Sequence, residues 1–329
     1  MTKYMKALQV IQPRFFQLVQ TPVPELDTGQ EKRILVQPGW VSLCGSDIPF
    51  FTGNKRFRSY PLPIGGPIHE CVGRVIQSTS NQFHQGDRVV AIPDGDQGLA
   101  EFFVARADKA VIIPDDLVDR GASCLIQPLA TVINAIDRLG NLEGKSVAVI
   151  GLGSIGILFC WLLRQRKAAS VLGVDPLEYR CHIAGSMGAT RTYQLRSIEV
   201  VHALRQGMSD WEPPDICIEA VGHQMETLSD CFELVRKQGI VLAFGVPDQP
   251  VYAIEYETFF RKNIQLMAVV TPEWSEYLPI SRDLFLEHRA TLETLVTHRA
   301  PILEAAKIFT LYERHEDGVI KAVMDASSW

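Results

Sequence analysis

The sequence predicts an α/β chain in two parts, a β-rich, barrel-like domain and a doubly wound parallel sheet. Three observations carry this. The first third of the chain is a series of short strand-like runs separated by turn residues. From about Ser123 the hydrophobic period changes, and strand and helix patterns alternate. At the first strand-to-helix join of this second part stands Ile150-Gly151-Leu152-Gly153-Ser154-Ile155-Gly156.

In the β-rich part, Lys6 to Gln12, Phe15 to Gln20 and Arg33 to Leu43 have strand composition, and Thr21 to Leu26 reads as an extended linker. Glu70 to Ser78, Asp87 to Ile92, Ala100 to Ala105 and Ala110 to Ile113 continue the pattern, punctuated by Gly73, Gly86-Asp87 and Pro114-Asp115-Asp116. Leu125 to Leu139 reads as a helix, because Pro128 falls in its first turn, where no amide is needed. Strand 146–150 then leads to helix 155–167 and strand 170–174. Helix 178–187, a strand near 191–193 and helix 197–205 follow. Next come strand 215–220, helix 225–235, strand 239–244 and a last strand at 264–270. The tail from Trp274 adds helices and a closing strand, Val319 to Met324, and rejoins the first domain. The expected domains are therefore 1–134 with 272–329, and 135–271.

The bulk composition agrees. A chain of 329 residues is long for one core. Hydrophobic content of 47% and charged content of 21% describe a globular chain. A net charge of −6 without a polybasic run argues against nucleic acid or an anionic membrane as partner. The longest apolar runs fall short of the roughly 18 residues that span a bilayer. The N-terminus lacks the apolar core of a signal peptide, so a cytoplasmic location is expected. The 7 cysteines are odd in number and form no C-x-x-C, which excludes a disulfide framework and a zinc ribbon. Cys160 and Cys217 read as small buried hydrophobes.

The spacing of Gly151, Gly153 and Gly156 is G-x-G-x-x-G. The first glycine permits a tight turn, the second lets a pyrophosphate approach the backbone, and the third lets helix and strand pack closely. The helix N-terminus offers N–H groups and partial positive charge to phosphates. The following strand ends in Asp175, roughly 20 residues on, where an acidic partner for ribose hydroxyls is expected. A carboxylate there repels a 2′-phosphate, so NAD is favoured over NADP.

In the β-rich part Cys44 follows a strand, and His69-Glu70 follows Pro61 to Ile68. Thiolate, imidazole and carboxylate can together hold zinc with one position open, and Gln127 can add a carbonyl ligand or an outer contact. Spacing alone leaves this open, since a Cys and a His so far apart are often unrelated.

Taken together these motifs resemble the zinc-dependent medium-chain dehydrogenase/reductase superfamily, and within it the alcohol and sorbitol dehydrogenase-like, polyol and sugar branch. Cys44-Gly45-Ser46-Asp47 is similar to C-G-S/T-D, and His69-Glu70 with Gly73 to G-H-E-x-x-G. Gly86-Asp87-Arg88-Val89 is similar to G-D-R-V, and Gln127-Pro128-Leu129-Ala130 to E-P-L-A/S. The glycine motif, Glu219-Ala220-Val221-Gly222 and Gly318-Val319-Ile320-Lys321 follow in order. The resemblance implies a GroES-like catalytic domain and a Rossmann domain. It also implies one catalytic zinc on Cys44, His69 and Glu70, with Gln127 as occasional or outer ligand. Ser46 would contact the substrate hydroxyl and start a proton relay, and Asp47 would orient the zinc histidine. On the cofactor side it implies Asp175, Val221, Arg180 near the ribose, and Lys321 reaching the pyrophosphate. Arg180 reads equally as a solvated helix cation, and Lys321 equally as a surface strand lysine.

The chain departs from the family pattern in four places. The four-cysteine lobe is missing between Asp94 and Phe103, so no structural zinc is expected. Gln127 replaces a glutamate, Ile68 a glycine, and Pro49 a relay histidine. Phe50, Phe51, Thr52 to Arg58 and Trp274 are expected to border a substrate cleft. Lys55, Arg56 and Arg58 read as a solvated loop or, on the sharper reading, as a site for an anionic group. The run Ile264 to Val270 suits an edge strand pairing in a homo-oligomer, a dimer or tetramer. The function expected is NAD-linked oxidation of a secondary hydroxyl on a sugar, polyol or cyclitol-like substrate. The alternatives are a zinc-free reductase of activated C=C bonds or quinones, and a non-enzymatic nucleotide-binding relative.

Overall fold

The computed structural model describes residues 3–27, 29, 31–54, 59–118, 120–207 and 210–329. The chain divides into two compact units, Met1–Ala130 with Pro272–Trp329, and Thr131–Thr271. The first division falls a few residues before the expected 134, inside the same helix.

The first unit opens with β1 (Tyr4–Gln12) and β2 (Phe15–Pro22), an antiparallel pair forming its own two-stranded sheet. Next come β3 (Arg33–Ser42), a 3-10 turn over Gly45–Asp47, and the short helix α1 (Ile48–Thr52). Pro49 sits in the first turn of α1, and Gly53, at φ 80°, ends it in the left-handed conformation that glycine adopts without strain. Then follow β4 (Glu70–Ser78), β5 (Arg88–Ala91), β6 (Phe103–Arg106), β7 (Ala110–Ile112) and α2 (Ile126–Leu139), within which the division falls.

The second unit contains β8 (Ser146–Ile150), α3 (Ser154–Gln165), β9 (Ser170–Val174), α4 (Glu178–Ser186), β10 (Arg191–Tyr193) and α5 (Ser197–Arg205). It continues with β11 (Ile216–Glu219), α6 (Glu226–Leu234), β12 (Ile240–Ala243), α7 (Tyr256–Arg261) and β13 (Gln265–Ala268). Its sheet is parallel, in the order β10-β9-β8-β11-β12-β13. The order reverses between β8 and β11, where open α/β sheets bind ligands. Val147, Val149, Cys217, Ile218, Val241 and Leu242 are fully buried, as expected of strands covered on both faces. Lys262 closes the C-terminal end of α6, donating to the carbonyls of Phe232, Glu233 and Val235 at 2.6–2.9 Å. Cys160, inside α3, is buried, and burial pushes its thiol up to about 12.

The chain then returns to the first unit with α8 (Trp274–Glu287), α9 (Arg289–Leu292), β14 (Val296–Pro301), α10 (Ala305–Glu313) and β15 (Lys321–Asp325). The seven-stranded sheet runs β14-β15-β3-β4-β5-β7, with β6 also pairing β3. Its core includes Val36, Leu43, Ile68, Val75, Leu99 and Met324. Phe16, Phe51 and Phe309 form an aromatic knot in it, with ring centroids 5.0–5.4 Å apart. Phe51 therefore does not border a cleft as expected; it is fully buried. Phe50 and Trp274 are half-buried, while Lys55, Arg56 and Arg58 lie outside the described residues. No helix among the described residues is long and apolar enough to cross a membrane.

Candidate metal centre and dinucleotide loop

In the first unit the sheet register assembles one cluster. Ser42, ending β3, pairs with Glu70, beginning β4, so Cys44 just past β3 comes beside His69-Glu70. The potential ligand atoms of Cys44, His69 and Glu70 all lie within 4.8 Å of one another. A thiol, an imidazole and a carboxylate this close are a donor set suited to zinc. Asp47 is 2% exposed and braces the cluster twice. Its Oδ2 accepts the N–H of Cys44 at 2.8 Å, and its Oδ1 lies 3.1 Å from His69 Nδ1. With Nδ1 committed to Asp47, Nε2 is the ring nitrogen left for a metal. Burial works to lower the His69 pKa, but the charge and hydrogen bond of Asp47, helped by Cys44, outweigh it and hold the ring well above the usual imidazole value.

Glu70 and Lys321 are both fully buried. Lys321 Nζ donates to Glu70 Oε1 at 2.7 Å, and lies 2.5 Å from Oε2 without hydrogen-bond geometry. A buried carboxylate oxygen lacking a hydrogen bond fits a metal-facing role. The register explains why the two groups meet. β15 pairs antiparallel with β3, Val323 opposite Ser42, so Lys321 lies near Cys44 at the same sheet end as Glu70. Lys321 is thus not the surface strand lysine that the sequence allowed; it is buried, and its ammonium contacts Glu70 inside the first unit. Ser46 is half-buried in the middle of the 3-10 turn, and Gln127 is buried in the first turn of α2. Ile68 is fully buried, with none of the left-handed backbone that the glycine it replaces would allow. A separate concavity of about 590 Å³, lined by Asp87, Arg88, Ile112, Asp115 and Arg282 among others, contains none of these residues.

In the second unit the three glycines each have a distinct physical reason. Gly151 has φ 91°, and a Cβ there would lie 2.7 Å from Val221 Cγ2. A Cβ on Gly156 would lie 1.9 Å from the carbonyl oxygen of Gly151, so helix and turn pack too closely for any other residue. A Cβ on Gly153 would meet nothing within 4 Å, which leaves this helix start open to a ligand. The loop fits a dinucleotide pyrophosphate on these grounds.

Asp175 is 3% exposed and ties the loop together. Its Oδ2 accepts the N–H of Leu152 at 2.9 Å, and its Oδ1 accepts that of Leu177 at 2.9 Å. Arg180 Nη1 approaches Oδ2 at 3.4 Å, so Arg180 is a partner of Asp175 rather than a solvated cation. A carboxylate has about four acceptor sites, so capacity for a ribose hydroxyl remains.

Glu219, noted in the sequence only as part of a motif, braces the loops beyond β11 and β12. Its Oε1 accepts the N–H groups of Val221 and Gly222 at 3.0 Å and the Thr227 hydroxyl at 3.1 Å, and its Oε2 accepts the N–H of Gly245. An acid ending a parallel strand next to a glycine-bearing turn was the signal available.

Comparison with known proteins bears on the family of the chain. Residues 122–326, more than half of the chain, match the family described as glucose dehydrogenase C-terminus. Residues 30–115 match the alcohol dehydrogenase GroES-like domain. Sorbitol dehydrogenase of Bacillus subtilis is 26% identical over 278 residues, covering 74% of this chain and 76% of the relative. L-threonine 3-dehydrogenase of Caldanaerobacter subterraneus is 23% identical, covering 92% and 94%. The structure of alcohol dehydrogenase TADH from Thermus sp. ATN1 superposes with TM-score 0.82 at 24% identity, covering 98% and 99%. With a GroES-like β domain, a Rossmann sheet and these matches together, the chain belongs to the zinc-type medium-chain alcohol and sorbitol dehydrogenase-like family and is an NAD(P)-dependent alcohol dehydrogenase-type oxidoreductase.

Proposed function

We propose that this chain transfers a hydride between NAD and a secondary hydroxyl of a sugar, polyol or cyclitol-like substrate, with a single zinc held by Cys44, His69 and Glu70. The observation that carries the reading is the convergence of those three ligand atoms within 4.8 Å, with Asp47 holding the far side of the His69 ring. A bound zinc supplies Lewis acidity towards an alcohol oxygen, favouring its deprotonated form. The chain's own residues do the rest. Asp47 fixes the tautomer and direction of His69. Ser46, on the same 3-10 turn, takes the hydroxyl proton at its Oγ as the start of a relay. Pro49 offers no ring nitrogen to continue that relay, so a bound cofactor's ribose together with water would have to supply the onward path from Ser46. Gln127 is the outer or occasional ligand.

On the cofactor side, Gly153 leaves room for the pyrophosphate, and Gly151 with Val221 shapes the turn. Asp175 favours the free ribose hydroxyls of NAD over a 2′-phosphate. Relatives named for sorbitol and for L-threonine support a hydroxylated substrate. A panel of secondary polyols, supplied to the zinc-loaded protein with NAD or with NADP, tests the reading. NAD-linked oxidation of at least one member is expected, and zinc-loaded protein that oxidises none would sink it.

A further inference from the structure

The Glu70–Lys321 pair has a consequence for the metal centre. We propose that Lys321 is the resident counter-ion of Glu70, and that a metal entering the Cys44–His69–Glu70 site must compete with this ammonium for the carboxylate. The inference rests on the reading of those three residues as the ligand set.

Both partners are 0% exposed, so neither charge is relieved by water. An unpaired buried charge is strongly unfavourable, and each of these two buried side chains has the other as its compensating partner. The ammonium sits against both carboxylate oxygens, at 2.7 Å and 2.5 Å, and the Oε2 contact lacks hydrogen-bond geometry. Lys321 therefore donates to Oε1 and also stands beside Oε2, the oxygen left for a metal, so a metal that takes Oε2 meets the ammonium there. β15 fixes its approach, because Thr297 Oγ1 donates to the Lys321 carbonyl and the strand is paired on both sides. Two electrostatic effects act in the same direction. The lysine stabilises the metal-free carboxylate, and its charge repels a divalent cation placed a few ångströms away. Both weaken metal binding relative to a neutral residue of the same length. Lys321 thus acts through Glu70, as a positioning residue that competes with the metal for the carboxylate.

The test is zinc affinity of the full-length, metal-stripped protein, measured by competition with a chromophoric chelator and needing no turnover. Lys321→Met is expected to bind zinc at least about tenfold more tightly than the wild type, and Lys321→Arg within about threefold of it, since the charge is kept. The melting temperature of metal-stripped Lys321→Met should fall, and zinc should raise it further than in the wild type. Unchanged or weaker zinc affinity in Lys321→Met overturns the proposal. If that variant does not fold, a crystal structure of zinc-loaded wild type decides. Lys321 Nζ withdrawn from the oxygen that ligates the metal supports the competition; Nζ still bonded to that oxygen overturns it. Cys44→Ser is the control for the underlying reading, because wild-type zinc affinity in that variant would remove the ligand set itself.

Discussion

Glu219, the last residue of β11, accepts the N–H of Gly245 just beyond β12 at 3.2 Å, so one carboxylate joins the loops that follow two neighbouring strands. Its other oxygen holds Val221, Gly222 and Thr227. Removing it leaves several donors without their acceptor, each costing about 1–3 kcal/mol where it stays buried. Glu219→Ala is therefore expected to lower unfolding free energy by at least about 2 kcal/mol, and Glu219→Gln, which keeps one acceptor oxygen, by less. Denaturant unfolding measures both. A loss below about 0.5 kcal/mol in Glu219→Ala would contradict the bracing role.

Gly153 and Gly156 should separate ligand approach from packing. Gly153→Ala adds a methyl where no protein atom lies within 4 Å, so its melting temperature should match the wild type while NAD binding weakens. Gly156→Ala drives a Cβ to 1.9 Å from the Gly151 oxygen, so both stability and NAD binding should fall. Calorimetric titration with NAD, beside thermal melts, checks the contrast. Equal losses of stability in the two variants would refute it.

Asp175 has two jobs that one substitution should expose together. Asp175→Ala removes the acceptor for the Leu152 N–H, so affinity for both nucleotides should drop. It also removes the charge that rejects a 2′-phosphate, so the preference for NAD should narrow by roughly tenfold, about 1.4 kcal/mol. Dissociation constants for NAD and NADP provide the check, and an unchanged ratio would show that discrimination lies elsewhere.

Asp215 supplies a pH-dependent part of the second unit's stability. Burial works to raise its pKa, but the amide and hydroxyl of Ser146 and the Arg236 guanidinium outweigh it and hold it below the usual carboxylate value. A depressed folded value means that the contribution is present above about pH 4 and is lost as pH falls through the folded value. Asp215→Ala should cost about 1 kcal/mol at neutral pH, and the gap should close in acid. Urea unfolding across that range tests it, and a gap that widened on acidification would reverse the sign.

The glycine loop and the strand–helix alternation were legible because they rest on short-range patterns, the period of apolar residues and the fixed spacing of three glycines. Cys44, His69 and Glu70 were legible as one site only through the family resemblance, since their spacing does not show that the β3–β4 register brings them together. The burial of Lys321 against Glu70 was hidden for the same reason. A lysine opening a strand looks solvated, and its burial depends on a β15–β3–β4 arrangement joining residues far apart in sequence. Phe51 stands in an aromatic run beside a turn, and nothing local shows that Phe16 and Phe309 close over it. β14 was absorbed into the helical tail. Its residues, Val-Thr-His-Arg-Ala-Pro, hold one buried side chain at the sheet edge and carry a weak apolar alternation.

NADH formation by zinc-loaded protein, wild type against Cys44→Ala, over a panel of secondary polyols at saturating NAD, tests the central claim most directly. The wild type should reduce NAD with at least one substrate, and Cys44→Ala should lose turnover by roughly a thousandfold or more while binding NAD normally, as expected when the residue holding the Lewis acid is removed. Turnover in Cys44→Ala close to that of the wild type would contradict a mechanism centred on Cys44, His69 and Glu70.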